Sequence, residues 1–563
     1  MSRVDEAQDA QRTTSPEGTR RAGRTRTGRG VPVFLRNPRA HTLIAGLIVF
    51  GGALGFDLYR LGNPSVWFDE AFSVELAKQP LPLLWHIIWG PEPNMELYYL
   101  FLHGWVGLTG LFGWLPTEFV VRLPSAIFAA LAAVMVFLLG RCFVGMAAGI
   151  AGAGLFMLNY LQLIYAQQAR SYSLQLLLIC LAWYALFAWL TTTGKGKRWW
   201  ICFVLATTLA IYAQLFSMLI LMAQVVAFGG LLVLPGPWRE RARQRLRGFG
   251  AALAAIGVLG IPMGLVSLHG AKTNWLPIPQ PNDILHLFQY ITTNSPLFLM
   301  LLFLCCFCAV GIALLTILPE GKSVLQLVTF AGGENEQDES RLKQYFPVAF
   351  ALVCWLFVPV IISYVVSQGS LRLFSSRYLV TILPPLFLLS GMAIAALRWR
   401  IVQVGLIAGV LLIAVYYVPI YYRSAQVEDW NSAVPWLEQH YQSGDGLVCF
   451  DNDVEQGCQI AVQYYLDAYP SAAHFTPDAP GAFSWEQFGP ANPSNGTFAA
   501  VDPQALAAYA AQHPRFFYIL GRFPDNTSAA RAQSAQDWLD SHYHLLGRIH
   551  APTVTISLYG SGT

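Results

Sequence analysis

Trp67-Phe68-Asp69-Glu70-Ala71-Phe72-Ser73 sets two adjacent carboxylates among aromatic side chains, a few residues beyond an apolar run from about His41 to Leu58. An acid pair in that setting is either a solvated surface feature or a proton-handling site held at a membrane surface. The choice depends on whether the rest of the chain builds a membrane domain.

Composition says that it does. With 55% hydrophobic residues, 12% charged residues and a mean hydropathy of +0.46, the chain is too apolar to cover itself with polar surface as a soluble protein must. A polytopic membrane protein follows. The formal net charge of +3 leaves no broad basic surface, so no nucleic-acid partner is expected and the positive charge is read by its location. Cys142, Cys180, Cys202, Cys305, Cys306, Cys308 and Cys354 fall within apolar runs and serve as small core residues. Cys449 and Cys458 lie in a polar region, where they are either a disulfide or two free thiols.

Residues 1–40 hold few large apolar side chains and are expected to be a disordered basic cytoplasmic tail. Arg20, Arg21, Arg24, Arg26 and Arg29 place it in the cytoplasm. The long basic segment and the lack of an Ala-x-Ala-type site argue against a cleavable signal. Further apolar runs begin near Phe119, Ala147, Tyr172, Trp199, Leu215, Phe249, Leu297, Phe346, Leu379 and Ile401, which with the first make eleven candidate spans of the ~20 residues that cross hydrocarbon. The stretch Trp199 to Leu234 overshoots one crossing and is divided around Tyr212-Ala213-Gln214. Alternation from an inside N-terminus puts Lys195 to Arg198, Arg239 to Arg247, Arg341-Leu342-Lys343 and Arg398-Trp399-Arg400 all in the cytoplasm.

The same alternation puts residues 59–118, the Tyr165 to Ser171 turn, the 269–296 loop, Ser367 to Tyr378 and the region from 421 to 563 outside. That last region has short β-rich runs (Leu447 to Phe450, Phe516 to Leu520, Thr553 to Leu558) among helical patterns (Ile460 to Leu466, Pro503 to Gln512, Ala529 to Tyr543), the pattern of a small α/β domain. Residues 41–420 form the membrane domain. Within its first outer loop, Ala71 to Lys78 and Met95 to Phe112 read as helices lying in the interface. Asp69 is then either a catalytic group or an N-cap, and Glu70 either its companion or a complement to the helix dipole.

Several short motifs occur in an order seen in a known family: Trp67 to Ala71, Glu92-Pro93-Asn94 before Leu97-Tyr98-Tyr99, Arg122-Leu123-Pro124-Ser125, the Tyr165 to Tyr172 turn, and Ser376-Arg377-Tyr378-Leu379 before Pro384-Pro385. Over roughly residues 40–440 the chain resembles the bacterial protein-mannosyltransferase and aminoarabinose-transferase type, the family 39 or PMT-2 glycosyltransferases. Glu428-Asp429-Trp430 is similar to that family's entry into its soluble tail.

The resemblance implies a GT-C fold and a polyprenyl-phosphate-linked sugar donor. It implies transfer to a lipid, glycan or protein acceptor on the outer face, with Asp69 as the general base. The chemistry explains the requirement: an acceptor hydroxyl is a poor nucleophile until a carboxylate takes its proton. The leaving group is a phosphate and needs cationic partners rather than a proton. Arg170 and Arg377 are the candidates for that role and Arg122 a third, against interfacial snorkelling as the plain alternative. Glu92 and Asn94 are candidates for placing sugar or acceptor. Tyr98 and Tyr378 are candidates for stacking on the sugar, or else belt anchors.

The chain departs from the pattern at Met95-Glu96, at Gln167-Gln168-Ala169-Arg170 and at Tyr212-Ala213-Gln214, which bears on sugar and acceptor identity. The absence of Asp-x-Asp from the first loop leaves no divalent metal implied. The rival readings are a transporter or flippase of lipid-linked saccharides, which calls for ionisable residues along helix midplanes, and a binding scaffold. Asp57 and His103 are among the few candidates near spans.

Overall fold

The computed structural model describes residues 38–194, 196–267, 273, 276–318, 336–451, 457–469, 471–488, 497–523 and 525–560. The basic tail before residue 38, Lys195 and the side chains of Arg341 and Lys343 lie outside them. Residues 1–44 and 45–563 are two units, and of the first only the start of a helix is described.

The membrane part runs α1 (Pro38–Leu58), α2 (Phe68–Lys78), α3 (Leu81–Ile88), α4 (Glu96–Leu111), α5 (Glu118–Phe143), α6 (Met146–Met157), α7 (Tyr160–Ala166), α8 (Tyr172–Thr191), α9 (Lys197–Ala213), α10 (Ser217–Val233), α11 (Pro237–Ser267), α12 (Pro281–Ile291) and α13 (Pro296–Leu315), then the helices Glu336–Val366, Leu383–Ala395 and Arg400–Ser424. A helix stands at each expected span. Seven are long and apolar enough to cross a membrane, and α6 with α7 makes an eighth as a pair bent by 65°. The bend follows from one residue. Asn159 Oδ1 accepts from the backbone N–H groups of Leu161 and Gln162 at 3.0 and 3.4 Å, which caps a new helix, while its Nδ2 donates to Ile291 O of α12 at 2.8 Å. The stretch Trp199 to Leu234 does break in two, into α9 and α10, each 17 residues and so about 25 Å long.

Small residues let the helices meet closely. A Cβ built on Gly140 of α5 would stand 2.7 Å from Gly149 Cα of α6, and one on Gly391 would stand 2.7 Å from Ala148 O. Helices in lipid gain most from this kind of backbone approach, because apolar side chains alone have nothing to escape from.

The first loop differs from expectation in two ways. It holds an extra helix, α3, with Pro82 in its first turn, where proline is tolerated. And α2 does not lie open at an interface: Glu70 to Ala77 are all buried, between α4 and the helix Gly457–Ala468 of the C-terminal region. The 269–296 loop likewise contains α12.

The last span runs to Ser424 rather than ending near 420. Beyond it, β1 (Gly446–Phe450), β2 (Arg515–Leu520), β3 (His544–Ala551) and β4 (Val554–Gly560) form a sheet in the order β1-β2-β4-β3. β1 and β2 are parallel, joined through the helices Gly457–Ala468 and Pro503–Gln512, and β4 is antiparallel to both of its neighbours. β3 escapes a sequence reading because it is a largely exposed edge without clean alternation. Alternation elsewhere divides the sheet. Val448, Phe450, Phe516 and Tyr518 face a core of the domain's own, while Leu447, Cys449, Phe517 and Ile519 join the core that continues into the membrane part. Cys449 and Cys458 are disulfide-bonded.

Candidate active site

α2 begins at Phe68, and its N-cap, Trp67, makes no side-chain capping bond. Asp69 is therefore inside the first turn and is not the cap. The open N–H of Phe68 is met from the other end of the chain: Glu428 Oε2 accepts from it at 3.1 Å and from Trp430 Nε1 at 2.9 Å, while Glu428 Oε1 accepts from Arg522 Nε at 3.1 Å. Burial pushes the Glu428 carboxyl above the usual range, and the donors from Trp430, Arg522 and Phe68 oppose the shift.

With the helix so fixed, Asp69 and Glu70 turn to different cations. Asp69 Oδ2 lies 3.2 Å from Arg377 Nη1 and 3.7 Å from Arg170 Nη2. Arg170 is itself held, donating from Nη1 to Asp69 O and to Ser73 Oγ at 3.1 Å each. Glu70 is fully enclosed. Its oxygens accept from Arg122 Nε at 2.8 Å and Nη2 at 2.7 Å, and Oε1 also accepts from Ala169 N–H at 2.7 Å. Arg122 spends its remaining donors on the carbonyls of Leu61, Pro64 and Ser65 at 2.6–3.0 Å. A guanidinium with every donor matched, 2% exposed, is a clamp on the segment that leads into α2; it neither snorkels nor has a hydrogen left for a phosphate.

A cavity of about 290 Å³ opens against Asp69 and Arg377, and the Glu70–Arg122 pair closes part of its wall. Five tyrosines line it: Tyr160, Tyr165, Tyr172, Tyr290 and Tyr421. Trp67, Gln167, Gln168 and Ser376 add polar edges, and Arg522 reaches it from the C-terminal domain. Carboxylate, cations and aromatic faces at one cavity can take a proton, receive an anion and stack on an apolar sugar face.

The other residues singled out from sequence lie elsewhere. Tyr98 is buried against Ser125, with 3.4 Å between hydroxyls. The ring of Tyr378 is already stacked on Phe216, 3.7 Å between centroids. Glu92 and Asn94 sit in the turn before α4, where Asn94 O accepts from Leu215 N–H at 3.3 Å, and neither lines the cavity. Sequence reasoning missed the tyrosine ring, although Tyr165 and Tyr172 bound the quoted turn. It also missed Arg522, which no local motif marks.

No family model matches the chain, and no curated protein matches it in sequence. Its fold does match solved structures. ArnT from Cupriavidus metallidurans in the apo state aligns over 91% of this chain and 97% of its own, with 13% identity and a TM-score of 0.53. The same protein bound to undecaprenyl phosphate aligns over the same shares, with 14% identity and a TM-score of 0.49. The mycobacterial arabinofuranosyltransferase AftD aligns over 94% of this chain and 42% of its own, with 15% identity and a TM-score of 0.48. The expected architecture is thereby met: this chain is a polytopic membrane protein with the fold of the GT-C glycosyltransferases.

Proposed function

We propose that the protein is an integral-membrane glycosyltransferase that moves a sugar from a polyprenyl-phosphate donor to an acceptor on the outer face of the membrane, with inversion at the anomeric carbon. The observation that carries the reading is Asp69, an ionisable group beside Arg377 and Arg170 at the tyrosine-lined cavity. The two guanidinium neighbours orient the carboxylate at the cavity wall, and an aspartate carboxylate is a strong proton acceptor. A donor phosphate arriving at Arg377 competes for the cation that now holds Asp69 Oδ2. The carboxylate is then released toward the acceptor hydroxyl as the same cations take up the leaving phosphate's charge. Glu70 keeps its place by pairing with Arg122 and takes no proton in this reading. The N-terminus is assigned to the cytoplasm and the C-terminal domain to the outside.

The test is Asp69→Asn in the full chain, which keeps size while removing the strong proton acceptor. Turnover is expected to fall by ~10²–10⁴, with expression and undecaprenyl phosphate binding retained. Lipid extracts of cells carrying the variant should accumulate sugar-phosphate lipid and lose its conjugate. A variant with full activity across the working pH range would remove Asp69 from the chemistry.

A further inference from the structure

Arg522 follows Gly521 at the end of β2, and the position is built with care. A Cβ on Gly521 would stand 2.9 Å from Cβ of both Asp451 and Cys458, so only glycine lets the chain leave the sheet this close to β1. Gly521 N–H also bonds Phe450 O at 3.1 Å. Arg522 thus emerges beyond the carboxyl ends of two parallel strands, the end of such sheets where ligands bind. It lines the same cavity as Asp69 and Arg377.

Its donors are only partly used. Nε is bound by Glu428, and the two terminal nitrogens make no hydrogen bond among the described residues. The side chain is 49% exposed, and a half-exposed ion pair contributes little stability, which makes Glu428 a guide for the guanidinium more than a reason for it. Beside it, the guanidinium carbons of Arg377 and Arg522 lie 5.9 and 5.8 Å from the Trp67 ring centre. The buried indole N–H of Trp67, which also lines the cavity, has no acceptor among the described residues. A buried donor without a partner is costly and is the kind of group a ligand satisfies.

We propose that Arg522 is an oxyanion ligand contributed to the cavity by the C-terminal domain, acting with Arg377 around Trp67 on a phosphate or carboxylate of a bound substrate. The proposal rests on the transferase reading for the source of that oxyanion, which is either the donor's phosphate or an anionic group of the acceptor. Glu428 is then a positioning residue for both Arg522 and α2, so the soluble domain is part of the active site.

The experiment uses the full chain in lipid nanodiscs, with undecaprenyl phosphate and inorganic phosphate as separate probes at low salt. Arg522→Gln is expected to weaken undecaprenyl phosphate about tenfold or more, as loss of a charged hydrogen bond does, if the oxyanion is the donor's. If the oxyanion belongs to the acceptor, undecaprenyl phosphate is unchanged and only inorganic phosphate weakens. Either result supports the assignment. Wild-type affinity of Arg522→Gln for both probes overturns it. Should Arg522→Gln fail to fold, Arg522→Lys carries the test, because an ammonium keeps the charge and loses the fork; at least a threefold loss for one probe is expected, and none overturns the proposal. A wild type that binds inorganic phosphate through Arg522 but not undecaprenyl phosphate would sink the donor assignment and leave Arg522 standing.

Discussion

At Asp69 and Glu70, adjacent positions on a helix are about 100° apart around its axis, so one acid faces the cavity while its neighbour faces Arg122. The sequence could say that a carboxylate pair stands at the start of a helix near the outer ends of spans; which acid is spent on the fold depends on a partner 52 positions away. For the same reason Arg122, Arg170 and Arg377 look alike as a linear string, and only the fold shows that Arg122 has no donor left. The consequence can be measured. Removing one member of a buried pair leaves an uncompensated charge and costs about 3–5 kcal/mol, whereas replacing both by apolar residues of similar size is often neutral. Glu70→Met and Arg122→Met should each lower the thermal midpoint in detergent and the folded yield, and the double variant should lose less than the two single losses summed, although the carbonyls of Leu61, Pro64 and Ser65 and the N–H of Ala169 stay without their partners in it. Additive losses in the double variant would show that the two residues act separately.

Among the elements, α2 and α4 carry the loop that covers the site, and α4 holds a titratable group that the proposed chemistry does not use. Glu96 opens α4, is 1% exposed, and neither carboxylate oxygen has a hydrogen-bond partner on another of the described residues. Burial, with a contribution from Glu92 and against that of its own backbone N–H, raises its carboxyl from the usual 4.5 to about 8. A folded-state value above the unfolded one means that the fold prefers the protonated acid. Stability from this group is complete below about 4.5 and is lost as pH rises through about 8. Glu96→Gln keeps the neutral shape at every pH. Its thermal midpoint should match wild type at pH 5 and exceed it by several degrees at pH 8.5. An offset equal at both pH values would mean that Glu96 does not titrate there. Sequence alone marked Glu96 as a departure, but its burial depends on partners distant in the chain: α9 lies against α4, and Leu215, in the turn after α9, donates to Asn94 O. α3 and β3 were illegible for local reasons: α3 carries prolines in and just before its first turn, and β3 is an exposed edge without clean alternation.

For the whole molecule, the orientation in the membrane can be argued from α8, whose 20 residues span about 30 Å. Its first turn follows Arg170, at the end where Asp69 and Arg377 meet the C-terminal domain. At its far end, Arg245 Nη2 donates to Thr192 O and Gly194 O at 2.9 Å each, which brings the basic start of α11 against the α8–α9 turn. Two basic loops, far apart in sequence, therefore share the end of α8 opposite to the candidate active site. The proposed orientation, with the cavity and the C-terminal sheet outside, rests on this shared end together with the retention of Lys and Arg on the cytoplasmic side. Single cysteines at two exposed positions, Ser534→Cys in the sheet domain and Arg243→Cys in the basic segment, test this in a background where the free cysteines are replaced by alanine. An impermeant maleimide should label Ser534→Cys in intact cells and Arg243→Cys only after permeabilisation. The reverse pattern would turn the site to the cytoplasm, where an outer-face acceptor cannot reach Asp69, and the proposed direction of transfer would fall while the residue contacts around α2 remained as they are.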